Sequence, residues 1–369
     1  MILSVLVHTH NLRWTLPLAL SLGSSPIYIS VWAAARIVTF CLPRSVYTYT
    51  DDRLYSLYQR LVLFIFNTYS RSKVKVYGNI SALRGKKENV IFICNHQCTV
   101  DWAVANMIAL PQGSIGRIRY ILKDGLKYFP LYGFYFSQHS CIFVKTKDGK
   151  FNEMKARTDV AKLKKNNIPV WMVLFPEGTR MSPARNDVLE KRRSYTAMQG
   201  LEPLSHVLMP KVRGLQLTLD ELGGHVSAVY DLTIAYSNTV DPQTGSRLPA
   251  PDITEFVSKS SPEIHLQFER IPIKEVPSDE NGLKMWLYSR FQEKERLLAH
   301  FYSSNASMGG RFPGESQDLN IPASSTLPSF LFFTSCLAVL LSNKTGRDLY
   351  WKTWLFGSIA GCLWMAVRH

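Results

Sequence analysis

The chain has 369 residues, 46% of them hydrophobic, which is enough to bury the core of one large domain or two ordinary ones. This composition excludes disorder as the default interpretation. The 43 Lys and Arg residues against 28 Asp and Glu give a net charge of +15, which favours a negatively charged partner such as a phosphate-bearing lipid, coenzyme A or a nucleic acid.

The first feature along the chain is an apolar stretch over residues 14–42, longer than the roughly 20 residues that cross a bilayer. It is too long for the core of a secretion signal, so residues 1–50 are predicted to be an uncleaved membrane anchor. Pro17 and Pro26 fit a kinked or re-entrant helix as well as a straight span. A buried core helix is the alternative.

Residues 51–302 are predicted to form an α/β domain with a mostly parallel central sheet flanked by helices. A helix with a wide apolar face begins at Asp51. Apolar runs bounded by turn residues then indicate strands, and helix-like segments such as 151–165 lie between several of them. The runs cover residues 74–77, 90–94, 118–122, 141–144, 170–175, 229–236 and 264–268.

The last part of the chain follows a predicted helix over residues 280–302. Residues 303–326 are rich in Ser, Gly, Pro and Asn, which predicts a linker. Residues 327–369 then contain two apolar stretches, 327–341 and 349–367, on either side of a basic turn. Each stretch is near the lower limit for a span, so a tight membrane hairpin is the simplest interpretation.

Ionisable residues follow the apolar run 90–94 directly, in the sequence Asn-His-Gln-Cys-Thr-Val-Asp. α/β folds place their sites at such strand-to-helix junctions. His96 can face a cleft there, and Asp101 can reach back to hold its ring. The pair predicts a general base and its orienting residue, which can deprotonate a substrate hydroxyl where no serine-nucleophile motif is present. Ordinary structure is the alternative for a His and an Asp at this spacing taken alone.

A second junction follows the run 170–174, in the sequence Phe-Pro-Glu-Gly-Thr-Arg. Gly178 allows a ligand to approach the backbone closely, and the planar guanidinium of Arg180 offers paired donors for phosphate. Glu177 is a candidate for orienting Arg180 or for contacting substrate. A structural ion pair between Glu177 and Arg180 is the alternative.

Metal binding is not predicted. Cys94, His96 and Cys98 lie close together, but a zinc site needs a fourth ligand and usually a second paired cluster. The six cysteines also lack the regular spacing of a disulfide framework, so they are interpreted as reduced thiols.

The motifs N-H-Q-C-T-V-D and F-P-E-G-T-R together resemble those of the glycerophospholipid acyltransferases. The chain is most similar to the 1-acylglycerol-3-phosphate acyltransferases, and among them to the epsilon type. Further segments that carry this resemblance are R-Y-I-L-K, L-K-Y-F-P-L-Y-G and the C-terminal G-C-L-W. It implies transfer of a fatty acyl group from acyl-CoA to the sn-2 hydroxyl of lysophosphatidic acid. No cofactor is expected, because acyl-CoA is a co-substrate.

The resemblance also implies roles for single residues. His96 matches the general base of the family and Asp101 the residue that orients it. The acceptor-binding segment corresponds to Glu177, Gly178, Thr179 and Arg180, and the residues that shape the motif loops to Asn95, Pro176 and Pro210. Cys98 stands where the family usually has serine, and it is not predicted to be a nucleophile.

One family motif is incomplete in this chain. The family motif consists of an aromatic residue, an aliphatic residue, a variable residue and arginine. It aligns with Phe143, Val144, Lys145 and Thr146, so threonine stands in place of the arginine. Lys145 or Lys147 is expected to supply the missing cation, although lysine is a point charge where arginine is a two-pronged donor.

Substrates and a membrane are the expected partners. Candidates for contacting coenzyme A phosphates or anionic headgroups, or for a plain solvated surface, are Arg117, Arg119, Lys123 and Lys127. Nucleic acid is not expected, because the chain has no recognised motif and no single basic stripe. The resemblance implies the endoplasmic reticulum membrane, with mitochondria or the nuclear envelope as alternatives and the catalytic domain facing the cytosol. Two other functions stay open: acylation of another lysophospholipid, such as lysocardiolipin or lysophosphatidylinositol, and noncatalytic lipid binding.

Overall fold

The structure is a computed structural model, and two compact units make up the chain. The first unit comprises Met1–Tyr69, Gly113–Val170 and Ile321–His369, and the second Ser70–Gln112 and Trp171–Asn320. The described residues are 2–85, 87–147, 150–151, 153–258, 262–303 and 309–368. Within them, the side chains left undescribed are those of residues 2–11, 84, 146, 147, 150, 151, 186 and 195.

The elements agree with the predicted alternation of strands and helices. The strands are β1 (Lys73–Gly78), β2 (Val90–Cys94), β3 (Ile118–Lys123), β4 (Ile142–Val144), β5 (Thr146–Lys147), β6 (Lys150–Phe151), β7 (Trp171–Leu174), β8 (Ala228–Tyr236), β9 (Glu263–Pro272) and β10 (Ser316–Asp318). The helices are α1 (Ile2–Gly23), α2 (Ser25–Val38), α3 (Arg44–Leu63), α4 (Asp101–Ala109), α5 (Tyr132–Gln138), α6 (Glu153–Lys165), α7 (Asn186–Met198), α8 (Arg213–Leu222), α9 (Ile253–Ser258), α10 (Glu280–Phe301), α11 (Leu327–Ser342) and α12 (Lys344–Arg368). Each apolar run predicted to be a strand overlaps one of these strands, and the runs 141–144 and 170–175 extend one residue beyond theirs at one or both ends.

The N-terminal apolar stretch is helical and broken once. Ser24 separates α1 from α2, and Pro26 lies in the first turn of α2, where a proline costs the helix little. Leu12–Val38 is long and apolar enough to cross a membrane, with a mean hydropathy of 1.4. The apolar helix agrees with the prediction, and its role as a membrane anchor stays a prediction.

The C-terminal helices α11 and α12 meet at an angle of 114°, and only together do they reach the length and apolarity of a span. Many of their large apolar side chains are exposed, including Leu331, Leu355 and Val367. A membrane hairpin therefore stays a prediction.

The first unit buries charged side chains that the sequence suggested for ligand contacts. Arg119 is almost fully buried, and its guanidinium donates to a carboxylate oxygen of Asp52 at 2.6 Å. Lys127 is also buried, with its ammonium 3.1 Å from Asp124. Arg119 and Lys127 are therefore neither the solvated side chains nor the exposed phosphate ligands that the sequence allowed, because each is buried and pairs with a carboxylate.

The second unit is built on a sheet whose strand order is β10-β1-β9-β8-β2-β7. β8, β2 and β7 run parallel, and β1 runs parallel to β9. β8 and β9 pair antiparallel along their whole length, and β10 pairs antiparallel with β1. The sheet is therefore mixed, whereas the sequence predicted a mostly parallel one, because the connection after β8 returns the chain in the opposite direction. β10 lies inside the predicted linker, and residues 304–308 of that linker lie outside the described residues.

The parallel pairing of β2 with β7 positions the two motifs. Every residue of both strands is buried, and Ile93 lies opposite Leu174. The carboxyl ends of the two strands therefore meet at the same edge of the sheet. The motif with His96 follows one strand and the motif with Glu177 follows the other.

Candidate active site

The His96 and Asp101 side chains meet as the sequence predicted. The Nδ1 atom of His96 lies 2.8 Å from Oδ2 of Asp101. Because a carboxylate accepts hydrogen bonds, Nδ1 carries the proton and Nε2 keeps its lone pair. The His96 side chain is 23% exposed and Asp101 is fully buried, so the imidazole reaches the surface while its partner stays in the core.

Asp101 is held at the start of α4 by a set of donors. Oδ2 also accepts the backbone N–H groups of Gln97 at 2.7 Å and Cys98 at 3.0 Å. Oδ1 accepts the hydroxyl of Tyr236 at 2.6 Å. A buried charge is tolerated only with such partners, so the carboxylate is both stabilised and fixed in direction.

Tyr236 is a site residue that the sequence analysis missed. It ends β8, 135 residues beyond Asp101, and is almost fully buried. Burial, and then the Asp101 charge, raise the pKa of Tyr236 well above its ordinary value, so the hydroxyl stays a donor. In the sequence, Tyr236 stands out only as a residue with a hydroxyl group at the end of an apolar run.

Cys98 does not have the environment of a reactive thiolate. It is buried, and its Sγ lies 3.4 Å from Oδ1 of Asp101. Burial and the Asp101 charge raise the pKa of the Cys98 thiol well above its ordinary value. The thiol therefore stays protonated and helps to satisfy Asp101.

The second motif encloses His96 from the other side. The Phe175 ring packs on the imidazole with the ring centroids 4.4 Å apart. One carboxylate oxygen of Glu177 accepts the backbone N–H of His96 at 2.7 Å, and the N–H of Met181 donates to the His96 carbonyl at 2.7 Å. The two motifs thus form one bonded unit, which neither motif alone predicts.

Glu177 is fully buried and faces the protein rather than the surface. Its second oxygen accepts the N–H of Leu208 at 3.0 Å. Burial raises the pKa of Glu177 to about 8, and the two backbone N–H bonds act in the opposite direction. Glu177 therefore connects the backbone of His96 to the segment around Leu208.

The Gly178–Arg180 turn is the outward part of the second motif. Gly178 has a φ of +68°, a left-handed conformation that favours glycine, and a Cβ there would lie 3.5 Å from Nζ of Lys211. Thr179 is half-buried. Arg180 is exposed, and its guanidinium donates to Oγ1 of Thr99 at 2.5 Å rather than forming the suggested ion pair with Glu177.

The loop-shaping residues are buried. Asn95 donates to the carbonyl of Ile234 at 3.1 Å and accepts its N–H at 2.7 Å, so it continues the β2–β8 ladder with its side chain. The carbonyl of Pro176 accepts the N–H of Lys211 at 2.9 Å. Pro210 precedes that lysine and is buried.

Lys145 belongs to the first unit, where it is exposed between β4 and β5. The side chains of Thr146 and Lys147 lie outside the described residues. The expectation that a lysine replaces the family arginine here stays a prediction.

A second histidine and aspartate cluster, in the first unit, has the spacing of metal ligands. It comprises Asp51, Asp52 and His139. His139 binds Asp51 through Nδ1 at 2.6 Å and the carbonyl of Ile118 through Nε2 at 3.1 Å. Asp52 is neutralised by its buried arginine partner. Since both ring nitrogens and the Asp52 charge are engaged, the cluster is an internal ion-pair network.

Comparison with known proteins gives a consistent result. Two family models match the chain, Acyltransferase over residues 73–216 and Acyltransferase C-terminus over residues 255–333. The chain is 40% identical over 369 residues to 1-acyl-sn-glycerol-3-phosphate acyltransferase epsilon of Mus musculus, covering 100% of both chains. It is 31% identical over 278 residues to probable 1-acyl-sn-glycerol-3-phosphate acyltransferase 5 of Arabidopsis thaliana, covering 75% of this chain and 67% of that protein. It is 26% identical over 253 residues to 2-acyl-1-lysophosphatidylinositol acyltransferase of Saccharomyces cerevisiae, covering 60% and 63%.

Proposed function

Because the chain belongs to the family of 1-acyl-sn-glycerol-3-phosphate acyltransferases, we propose that it converts lysophosphatidic acid and acyl-CoA into phosphatidic acid and CoA during phospholipid biosynthesis. The observation that carries the proposal is the 2.8 Å contact between His96 Nδ1 and Asp101, which leaves Nε2 of a partly exposed ring free to accept a proton. The acyl group goes to the sn-2 hydroxyl of the acceptor.

The proposed mechanism is direct transfer with His96 as general base. The acceptor hydroxyl gives its proton to Nε2 as its oxygen attacks the thioester carbonyl carbon. The tetrahedral intermediate, whose oxyanion is stabilised by backbone N–H groups, then collapses as the carbon–sulfur bond breaks. CoA leaves as a thiolate and takes up the proton from the imidazolium. The protonated, buried thiol of Cys98 supports a mechanism without a covalent acyl-enzyme.

Arg180 is the proposed ligand of the acceptor phosphate. It is exposed and hydrogen-bonded to Thr99, three residues after the proposed base. A guanidinium binds phosphate with two parallel hydrogen bonds and so also aims the rest of the acceptor. Gly178 and Thr179 are proposed to contact the acceptor beside Arg180, whereas Glu177 is fully buried behind them. Lys145 is the proposed substitute for the family arginine in the first unit.

The enzyme is proposed to act at a membrane. The apolar helix Leu12–Val38 supports an N-terminal anchor, and the bent pair of α11 and α12 supports a C-terminal hairpin. We propose the endoplasmic reticulum membrane with the catalytic unit on the cytosolic side, where soluble acyl-CoA is found. Mitochondrial membrane and nuclear envelope are the alternatives.

A different acceptor is the second candidate, favoured by the similarity to a yeast lysophosphatidylinositol acyltransferase. The same base and arginine would serve a phosphodiester headgroup or lysocardiolipin. The intact base and phosphate ligand argue against a noncatalytic lipid-binding protein.

An acceptor panel tests the proposal. Purified full-length protein in detergent micelles receives labelled acyl-CoA with lysophosphatidic acid, lysophosphatidylinositol, lysocardiolipin or no acceptor. We expect the highest kcat/KM with lysophosphatidic acid, and Arg180→Ala should raise KM for this acceptor more than KM for acyl-CoA. A higher kcat/KM with another lysolipid would assign the second candidate. If no lysolipid is acylated, only noncatalytic lipid binding is left.

A further inference from the structure

The side chain of Gln97, next to His96 in the chain, is fixed by three contacts. It is 6% exposed, and its amide nitrogen donates to the carbonyl of Ile234. Its amide oxygen accepts from the Arg247 guanidinium at 2.8 Å and from the Tyr302 hydroxyl at 3.0 Å. Since the Gln97 N–H also binds Asp101, this side chain holds the loop that carries His96.

Arg247 contacts three residues at once, Gln97, His206 and Tyr302. One terminal nitrogen donates to Gln97, and the other donates to the carbonyl of His206 at 2.9 Å and lies 3.3 Å from its Nδ1. The guanidinium carbon lies 4.2 Å above the centre of the Tyr302 ring. Burial and the charge of Arg247 lower the pKa of His206 to about 4, so this ring is neutral and can accept.

Arg247 also binds the segment from His206 to Leu208, which is hydrogen-bonded to Glu177. The carbonyl of His206 accepts from Arg247, and two residues on, the N–H of Leu208 donates to the carboxylate of Glu177. Glu177 in turn accepts the N–H of His96. Arg247 therefore closes a ring of bonds that joins the first motif through Gln97 to the second motif through Leu208.

We propose that Arg247, with Tyr302, is a positioning residue of this site: its two-pronged guanidinium sets how the His96 loop and the Glu177 loop lie relative to each other. Arginine suits the task because its planar fork can bind two acceptors at once and stack on an aromatic ring. Tyr302 lies in the region matched by the acyltransferase C-terminal model, which gives that region a direct contact with the first motif. The inference rests on the proposed function only for its activity readout.

Two measurements on purified full-length protein test the inference. The variants are Arg247→Gln, Arg247→Lys and Tyr302→Phe, and the matched control is Arg270→Gln. Arg270 also binds a partner through two nitrogens, both 2.8 Å from Glu88, but it lies on β9 opposite Tyr230 rather than in the motif loops. We expect Arg247→Gln to lower kcat about 10- to 30-fold with KM values within about threefold. Arg247→Lys should recover part of the loss, and the control should keep kcat within about twofold.

A double variant separates positioning from a general loss of stability. Arg247 and Tyr302 act on the same oxygen of Gln97, so Arg247→Gln combined with Tyr302→Phe should lose less than the product of the two single losses. For Arg247→Gln combined with Arg270→Gln, the loss of kcat should equal the product of the two single losses. Independent, multiplying losses for Arg247 and Tyr302 would overturn the inference, as would a kcat for Arg247→Gln equal to that of the control.

Amide hydrogen exchange supplies a readout that needs no activity. Arg247→Gln should speed exchange in residues 95–101 and 205–209, and Arg270→Gln should leave both segments unchanged. If wild-type protein transfers no acyl group but these segments respond, the proposed function fails and the positioning role stands. If wild-type protein is active and the segments do not respond, the positioning role alone fails.

Discussion

Asp101→Asn changes the charge beside the proposed base while keeping the size of the side chain. The three donors on Oδ2, from His96, Gln97 and Cys98, require an oxygen at that position. The new amide group therefore faces Tyr236, whose hydroxyl can turn to accept it. His96 keeps its orientation and its Nδ1 proton, while the negative charge beside the ring and the bonds that Tyr236 and Cys98 donate to Oδ1 are lost.

The size of the effect follows from that loss. A hydrogen bond to a charged partner contributes about 1.5–3 kcal/mol, and each 1.36 kcal/mol added to the barrier slows a reaction tenfold. Because His96 becomes positively charged only as it takes the proton, the lost charge raises the barrier more than it weakens substrate binding. We expect kcat to fall about 10- to 150-fold with KM for both substrates nearly unchanged.

The assay is steady-state release of CoA with lysophosphatidic acid as acceptor, alongside thermal unfolding of the same preparation. Asp231→Asn is the control, because Asp231 is also buried but pairs with Arg290 and Lys294 of α10. The control should lower the unfolding temperature while kcat stays within about threefold. A kcat for Asp101→Asn within twofold of wild type would refute the assignment of Asp101 as partner of the base.

Three further predictions concern Tyr236, Glu177 and Glu88. Tyr236→Phe removes a buried donor to Asp101 and should cost about 1–3 kcal/mol in the free energy of unfolding, measured with denaturant. Above about pH 8, where Glu177 is ionised, Glu177→Gln turns an amide N–H toward one of two backbone donors, so a similar loss and a lower kcat are expected; unchanged values would mean that one donor is not bound. Burial opposes ionisation of Glu88, but hydrogen bonds from Arg270, Tyr230 and Ser227 outweigh it and lower its pKa from 4.5 to about 2. The contribution of ionised Glu88 to stability is therefore present above pH 4.5 and lost as the pH falls to about 2. Glu88→Gln should make the unfolding temperature depend less on pH over that interval.

The sequence predicted strands and local pairs well, because both depend on residues close together in the chain. The apolar run before Asn95 is a buried strand, and His96 and Asp101 meet across five residues. Strand direction was predicted less well. An apolar run indicates a strand but not which way its neighbour runs, so the antiparallel pairing of β8 with β9 was missed.

The residues that complete the site come from far along the chain. Tyr236 reaches Asp101 across 135 residues, and Arg247 reaches Gln97 across 150. Neither belongs to a motif, and only the fold brings them to the end of β2. The buried orientation of Glu177 was hidden for the same reason, since its second partner is the backbone of Leu208, which any residue type could supply.

The most direct test of direct transfer by His96 is the rate of phosphatidic acid formation by purified His96→Ala protein, measured with labelled acyl-CoA and lysophosphatidic acid. The variant should stay folded, with a loss of stability no larger than that of Tyr236→Phe, because Gln97, Cys98 and Tyr236 still donate to Asp101 and the bonds to Glu177 and Met181 use only the His96 backbone. Its rate should fall by about 1,000-fold or more, since the hydroxyl loses its proton acceptor. A folded variant that retains more than a tenth of the wild-type rate would contradict the account.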